Sequence, residues 1–208
     1  MMPRVAVMGG SVGGLTAALV LRDAGCDVTV FERSSAALQA RGAGIAALEA
    51  TLRYLTERGG LNRADVCSST NWIRFLRADG SVRHEQRHRY LFSSWNTIYR
   101  SLLGLFDPDR YRLGHEVTGF SQSADSVRVT LADGTGAEAG LLVCADGVSS
   151  LGRARLLPEV RPSYSGYVAW RGTVPEQALP AAACGRTANA ASPIRQTRPN
   201  AIRGTAMS

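Results

Sequence analysis

The spacing of apolar residues changes several times along the chain, and each change marks an element. Val5 to Met8 is a short unbroken apolar run, the pattern of a buried strand. A glycine cluster follows (Gly9, Gly10, Gly13, Gly14). Leu15 to Ala24 then reads as a helix closed by Gly25, and Val28 to Phe31 as a second strand ending at Glu32. Beyond a polar loop, Ser34 to Gly44, the residues Ile45, Leu48, Leu52 and Leu55 recur at helical spacing up to Gly59-Gly60, which predicts an amphipathic helix. Asn71 to Gln86 reads as a hairpin, with Trp72, Phe75 and Leu76 before the turn Ala78-Asp79-Gly80-Ser81 and Val82 after it. Ser93-Ser94 is placed to cap a helix whose stripe is Trp95, Ile98, Leu102 and Leu105, and Pro108 stops it. Glu116 to Leu131 alternates around Val127, Val129 and Leu131, Asp133-Gly134 makes the next turn, and Glu138 to Cys144 is a third strand, so a β-meander is expected. Tyr164 to Val174 reads as a strand. Periodicity ends soon after, and residues 177–208 read as a disordered tail rich in Ala, Arg, Thr, Pro, Asn and Ser.

Composition narrows the class. A chain of 208 residues with 45% hydrophobic and 20% charged content is ordinary for a soluble globular protein of one or two domains. No apolar run approaches the roughly 18 residues of a membrane span. The apolar start is a strand with a glycine turn and not a signal peptide, so a cytoplasmic location is expected. The net charge of +7 alone would point to nucleic acid, but all 24 basic residues are arginines scattered along the chain. Four of them (Arg186, Arg195, Arg198, Arg203) lie beyond Pro180, where there is no acid. Neither a nucleic-acid nor a membrane partner is expected. The run Arg83 to Arg89 reads as a solvated edge. Cys26, Cys67, Cys144 and Cys184 form no C-x-x-C motif, and no metal site is expected. His84, His88 and His115 have no visible partners, so no catalytic acid or base is assigned.

The chemistry is concentrated at the front. Strand, glycine turn, helix, strand and terminal acid form a dinucleotide-binding βαβ unit. Glycines let the backbone approach a pyrophosphate, and the helix start offers N–H groups and the positive end of its dipole. In the pattern G-x-G-x-x-G the three slots hold Gly9, Ser11 and Gly14, so the middle glycine is replaced by serine. Glu32, about 20 residues on, is placed to accept hydrogen bonds from an adenosine ribose. An acid there disfavours a 2′-phosphate, which leaves FAD or NAD. A second stretch, LLVCADGVSSLGRARLL (Leu141 to Leu157), ends an apolar strand at Ala145-Asp146-Gly147. A carboxylate at the carboxyl end of a strand can bind sugar hydroxyls. The same dipeptide also makes ordinary turns, as at Asp79-Gly80 and Asp133-Gly134.

Glu32-Arg33, the following Arg41-Gly42-Ala43-Gly44-Ile45 and the Asp146-Gly147 stretch together resemble the single-component FAD-dependent aromatic hydroxylases. The GGSVGG form (Gly9, Gly10, Ser11, Val12, Gly13, Gly14) is similar to the 2,6-dihydroxypyridine hydroxylase branch, where serine at the middle slot is familiar. The resemblance covers about residues 3–176. It implies an α/β fold: a Rossmann-like FAD-binding βαβ domain with a β-meander over residues 1–176, in which 71–90 belong to an incomplete substrate-domain sheet. It places Arg41 and Arg100 near the flavin nucleotide, although the residues alone fit equally a solvated loop arginine at Arg41 and a surface helix residue at Arg100, and it places Asp146 and Gly147 near the flavin chain and the nicotinamide cofactor. It implies FAD and NADPH as cofactors, a small aromatic or N-heteroaromatic substrate, and hydroxylation of an electron-rich ring by molecular oxygen.

The family also carries a later Gly-Asp motif that holds the rest of the flavin, and no Gly-Asp dipeptide occurs in these residues. The chain is therefore expected to be an N-terminal portion, shortened naturally or by a frameshift near Pro180, and inactive as a hydroxylase by itself. The alternatives are a non-catalytic remnant or FAD-binding module and, less well matched, an NAD-dependent reductase, in which Asp146-Gly147 would have no role.

Overall fold

A computed structural model describes residues 2–39, 44–166 and Ala178. The described residues fall into two compact units, one drawn from the chain before Ala43 and after Ile98, the other from Gly44–Thr97.

The first unit begins with β1 (Arg4–Met8), α1 (Val12–Asp23) and β2 (Asp27–Glu32). The second contains β3 (Gly44–Ala47), α2 (Glu49–Arg53), α3 (Arg63–Val66), β4 (Ser68–Leu76) and β5 (Val82–Ser94). Helix α4 (Trp95–Leu105) follows. The first unit then resumes with β6 (Tyr111–Leu113), β7 (Val117–Gln122), β8 (Val127–Leu131), β9 (Gly136–Ala139), β10 (Leu141–Cys144) and α5 (Leu151–Leu156).

In the first unit a four-stranded parallel sheet runs β10-β1-β2-β6. Val5, Val7, Val28 and Val30 are buried in it, as the unbroken apolar runs require of a parallel sheet covered on both faces. Leu15, Ala18 and Leu19 are the buried side of α1. Ala6, Met8 and Phe31 pack with Val117, Val127, Val129, Leu131 and Ala139 from the meander β7-β8-β9. Each of these larger side chains removed from water contributes about 1.5–3 kcal/mol, so this layer anchors the strand ends that carry the site.

Two features of this unit differ from the expectation. Glu138 to Cys144 is not one strand. Ala139 ends β9 in the meander and Leu141 opens β10 in the parallel sheet, with Gly140 between them donating its N–H to the Arg4 carbonyl at 2.9 Å. A single extended segment thus serves two sheets, since two neighbours compete for its edges. The three-residue β6 was not expected at all. It is too short to show a period and exists because β2 offers it an open parallel edge, with Val30 opposite Tyr111. Of the expected strand Tyr164 to Val174, the stretch up to Gly166 is irregular and the rest lies outside the described residues, as does the expected tail, Ala178 apart.

In the second unit β3, β5 and β4 form an antiparallel sheet. The hairpin turns where expected, with Arg77 N–H bonded to Ser81 O at 2.9 Å. It is longer than its pattern, since pairing continues to Ser68 opposite Phe92, with a bulge between Thr70 and Trp72. Trp72, Phe75 and Leu76 are 43%, 52% and 61% exposed, and since neighbouring strand residues point to opposite faces, neither face of the hairpin is fully covered by the described residues. Arg83 to Arg89 is exposed throughout. The helix expected from Ile45 starts later. Gly44 to Ala47 pairs with Ser94 to Leu91, and strand pairing there overrides the helical spacing. Leu52 and Leu55 are buried as expected while Leu48 is exposed. Ser94, not Ser93, caps α4 by accepting the Thr97 N–H at 2.8 Å, and the Ser93 hydroxyl donates to the Val66 carbonyl at 2.6 Å.

Candidate functional site

The glycine turn sits at the carboxyl ends of β1, β2 and β10, where parallel strands present their outermost backbone groups. Gly9 N–H bonds the Phe31 carbonyl at 2.8 Å, and Ala145 N–H bonds the Met8 carbonyl at 2.8 Å. These bonds bring the glycine turn, Glu32 and Asp146 to one end of the sheet. Three close approaches explain three of the glycines. A Cβ on Gly9, whose φ is +100°, would lie 2.4 Å from the Ala145 carbonyl oxygen. One on Gly14 would lie 1.8 Å from the Gly9 carbonyl oxygen, so α1 can start this close to the strand only through glycine. One on Gly10 would lie 2.3 Å from the Tyr111 hydroxyl. Gly13 is different, because a Cβ there would meet nothing within 4 Å, and the outer side of the turn is open.

Glu32 is 6% exposed. Its Oε2 accepts the Gly10 N–H at 2.8 Å and its Oε1 accepts the Ser34 N–H at 2.9 Å. The carboxylate therefore organises the turn itself, and each oxygen keeps a further lone pair. Asp146 Oδ2 accepts the Leu151 N–H at 2.6 Å and the Gly152 N–H at 3.3 Å, which ties the strand end to the start of α5. Its Oδ1 is buried with no partner among the described residues. An orphaned carboxylate oxygen at this position is an acceptor waiting for a hydroxyl or N–H donor. Beside it, burial and then the Asp146 charge push the Cys144 thiol up, which keeps it protonated.

The start of α1 has a matching shortage of partners. Its N-cap, Ser11, makes no side-chain capping bond, and no acid lies in the first turn. The first-turn N–H groups and the dipole end are thus left without a side-chain anion. Uncapped N–H groups, an open face at Gly13 and an orphaned carboxylate oxygen fit a dinucleotide whose pyrophosphate lies at α1 and whose hydroxyls reach the acids.

Among the other site residues expected from the sequence, Val12 opens α1, and Gly147 follows Asp146 in an exposed turn. Arg33 is exposed beside Glu32, and Arg100 is exposed on α4. Arg41 lies outside the described residues. Sequence reasoning missed Tyr99 and Tyr111, the buried pair that reaches the turn through Gly10. The available signal was Gly10 itself, a glycine outside the three fingerprint slots.

No helix among the described residues is long and apolar enough to cross a membrane. A model of the pyridine nucleotide-disulphide oxidoreductase family matches residues 4–61. A 2,6-dihydroxypyridine 3-monooxygenase of Paenarthrobacter nicotinovorans is 43% identical over 175 residues, covering 82% of this chain and 43% of that protein. A 3-amino-4-hydroxybenzoate 2-monooxygenase of Streptomyces platensis is 34% identical over 191 residues, covering 86% of this chain and 48% of that one. The solved structure of 2,6-dihydroxypyridine-3-hydroxylase from Arthrobacter nicotinovorans superposes with a TM-score of 0.74 at 38% identity, over 80% of this chain and 42% of that chain. The chain thus spans less than half the length of the curated relatives it matches. On this identity and superposition it belongs to the FAD-dependent aromatic hydroxylases, whose N-terminal portion it carries.

Proposed function

We propose that this chain binds the adenosine diphosphate half of FAD, within a protein that hydroxylates a small aromatic or N-heteroaromatic ring. The observation that carries the reading is the convergence of three ligand-seeking features at one end of the sheet. These are the uncapped start of α1, the Glu32 carboxylate and the orphaned Asp146 oxygen. In this reading the N–H groups around Ser11 to Gly14 hold the pyrophosphate, Glu32 accepts from the ribose, and Asp146 Oδ1 accepts a hydroxyl of the flavin chain. Gly13 and Gly147, where a Cβ would meet nothing within 4 Å, leave room for the ligand backbone, and Arg33, Arg41 and Arg100 supply positive charge near its anionic parts. Bound FAD supplies the redox chemistry that activates molecular oxygen, with NADPH the expected reductant. The residues described here bind and orient. Hydroxylation, with a hydroxypyridine as the first substrate class to try, is expected of the longer protein and not of these 208 residues alone.

The test is a titration of the purified chain with FAD, followed by flavin fluorescence and competed with ADP. Saturable binding that ADP displaces is expected, and Glu32→Ala is expected to weaken it about 10- to 100-fold, the loss of a charge-assisted hydrogen bond worth about 1.5–3 kcal/mol. Equal affinity in the variant and the parent chain would remove Glu32 from the site.

A further inference from the structure

We propose that Tyr111, backed by Tyr99, is a positioning residue that sets the Gly10–Ser11 peptide plane for the pyrophosphate. The inference rests on the FAD reading above and deepens it.

The Gly10 residue is gripped on both sides. Its N–H donates to Glu32 Oε2 at 2.8 Å, and its carbonyl accepts from the Tyr111 hydroxyl at 2.7 Å. The Tyr99 and Tyr111 hydroxyl oxygens are 3.2 Å apart, and the Leu38 N–H donates to the Tyr99 hydroxyl at 3.0 Å. A phenol has one proton to donate. Tyr111 uses its proton on Gly10, so Tyr99 donates to Tyr111, and the Tyr99 oxygen takes the Leu38 N–H. The chain of bonds is polarised in one direction, from Leu38 through both phenols to Gly10. Tyr99 is fully buried and Tyr111 is 7% exposed, so water does not compete for these bonds. Burial, then the Tyr99 hydroxyl, push the Tyr111 pKa up, which keeps its proton in place.

The consequence follows from peptide geometry. In a trans peptide the C=O and the following N–H point in opposite directions. Holding the Gly10 carbonyl towards Tyr111 turns the Ser11 N–H the other way, out of the Tyr111 side of the turn. Holding the Gly10 N–H on Glu32 likewise fixes the Gly9 carbonyl, against which Gly14 packs. Gly10 is needed because a Cβ would displace the Tyr111 ring, whose nearest atoms would be 2.3 and 2.7 Å away. This accounts for a glycine that the dinucleotide fingerprint does not require, and for β6, which delivers Tyr111 across 101 residues of sequence. Preorganised N–H groups bind an anion without the cost of reorienting them.

The test compares ADP with adenosine on the full chain. Y111F keeps the ring and removes the bond to Gly10. It is expected to weaken ADP and FAD about tenfold, the equivalent of one buried hydrogen bond, and to leave adenosine affinity within about twofold. Y99F, which leaves the Tyr111 donor in place, is expected to show the same selectivity with a smaller loss. Circular dichroism and thermal melts check that each variant folds. In the parent chain, amide NMR is expected to show a larger shift of the Ser11 N–H with ADP than with adenosine, a measurement that stands even where a variant does not fold. ADP binding unchanged in Y111F overturns the proposal and leaves the FAD site intact. Equal losses for ADP and adenosine reduce Tyr111 to a structural role, and a Ser11 amide indifferent to ADP overturns it as well. No saturable binding of FAD or ADP by the parent chain overturns the site and the proposal together.

Discussion

Two turns in the first unit share the sequence Asp-Gly and do opposite things with it. Asp133-Gly134 joins β8 to β9, and Asp146-Gly147 follows β10. Both glycines have positive φ, 82° and 79°. At the hairpin, Asp133 Oδ1 accepts from the Thr135 N–H at 2.9 Å and the Thr135 hydroxyl at 2.6 Å. That oxygen is satisfied within the turn, because an antiparallel chain brings its own next residues back to the carboxylate, and the exposed side chain leaves the other to water. Asp79-Gly80 in the second unit repeats this with Ser81. At the end of β10 the chain leaves for α5 instead. Asp146 reaches five and six residues ahead to the helix start, and its other oxygen is buried with no partner among the described residues. A dipeptide makes a turn in both places, but the remaining oxygen of Asp133 is on an exposed residue, whereas that of Asp146 is buried away from water. The two helix starts repeat the contrast. Ser150 caps α5 by accepting the Arg153 N–H, while Ser11 gives α1 no such cap.

A methyl group added at each kind of turn is expected to have the largest and most unequal effects. Gly14→Ala forces a Cβ to within 1.8 Å of the Gly9 carbonyl oxygen. A loss of about 3–5 kcal/mol in urea denaturation is expected, the upper range for overpacking a close backbone contact. Gly134→Ala meets nothing within 4 Å and bears only the strain of its φ, about 1–2 kcal/mol. Equal losses would mean that the strand-end turn is no more constrained than the hairpin.

Changing the aspartates sharpens the same contrast through binding. Asp146→Asn is expected to weaken FAD about tenfold with a stability change below about 1 kcal/mol, since one amide oxygen can still serve α5. Asp133→Asn is expected to leave FAD affinity unchanged. A fluorescence titration of both variants decides it, and parity between them would strip Asp146 of its role.

A smaller difference appears at alkaline pH. The Tyr111 pKa is raised above its ordinary value of 10.0 by burial, then by Tyr99 and the Glu32 charge. Its stabilising contribution is therefore complete below pH 10 and falls above it, as the unfolded chain ionises and the folded one resists. The parent chain is expected to lose up to about 1 kcal/mol more than Y111F between about pH 10 and 11. Parallel stability curves for the two would contradict a buried, protonated Tyr111.

The smallest effect belongs to the hairpins. Ser81 holds the Asp79 carboxyl, and Thr135 the Asp133 carboxyl, below the usual range. Their contribution is present above the ordinary carboxylate pKa and is lost as pH falls through the lowered one. Both groups are exposed, so D79N and D133N are expected to flatten the acid side of a thermal-melt series only slightly.

Much of the site was legible because its determinants are local. The turn from β1 to α1, the return to β2 and the acid at its end all lie between Arg4 and Glu32, and glycine, period and charge mark each step. Asp146 was legible as a strand-end acid but not as a helix anchor, since its partners are supplied by a helix six residues long. Tyr111 was not legible. Nothing near it in sequence announces a bond to a carbonyl 101 residues away.

The βαβ unit, the hairpin and meander turns and the identity of the acids follow from local sequence, because they depend on backbone preferences and periodicity over a few residues. The rest depends on long-range strand pairing. That pairing divides Glu138 to Cys144 between two sheets, turns Gly44 to Ala47 into a strand, and creates β6 on the free edge of β2. A strand three or four residues long has no period of its own and is defined by the neighbour that takes up its hydrogen bonds. For the same reason the clamp on Gly10 belongs to the fold. Its two halves, Glu32 and Tyr111, become neighbours only when β2 and β6 pair.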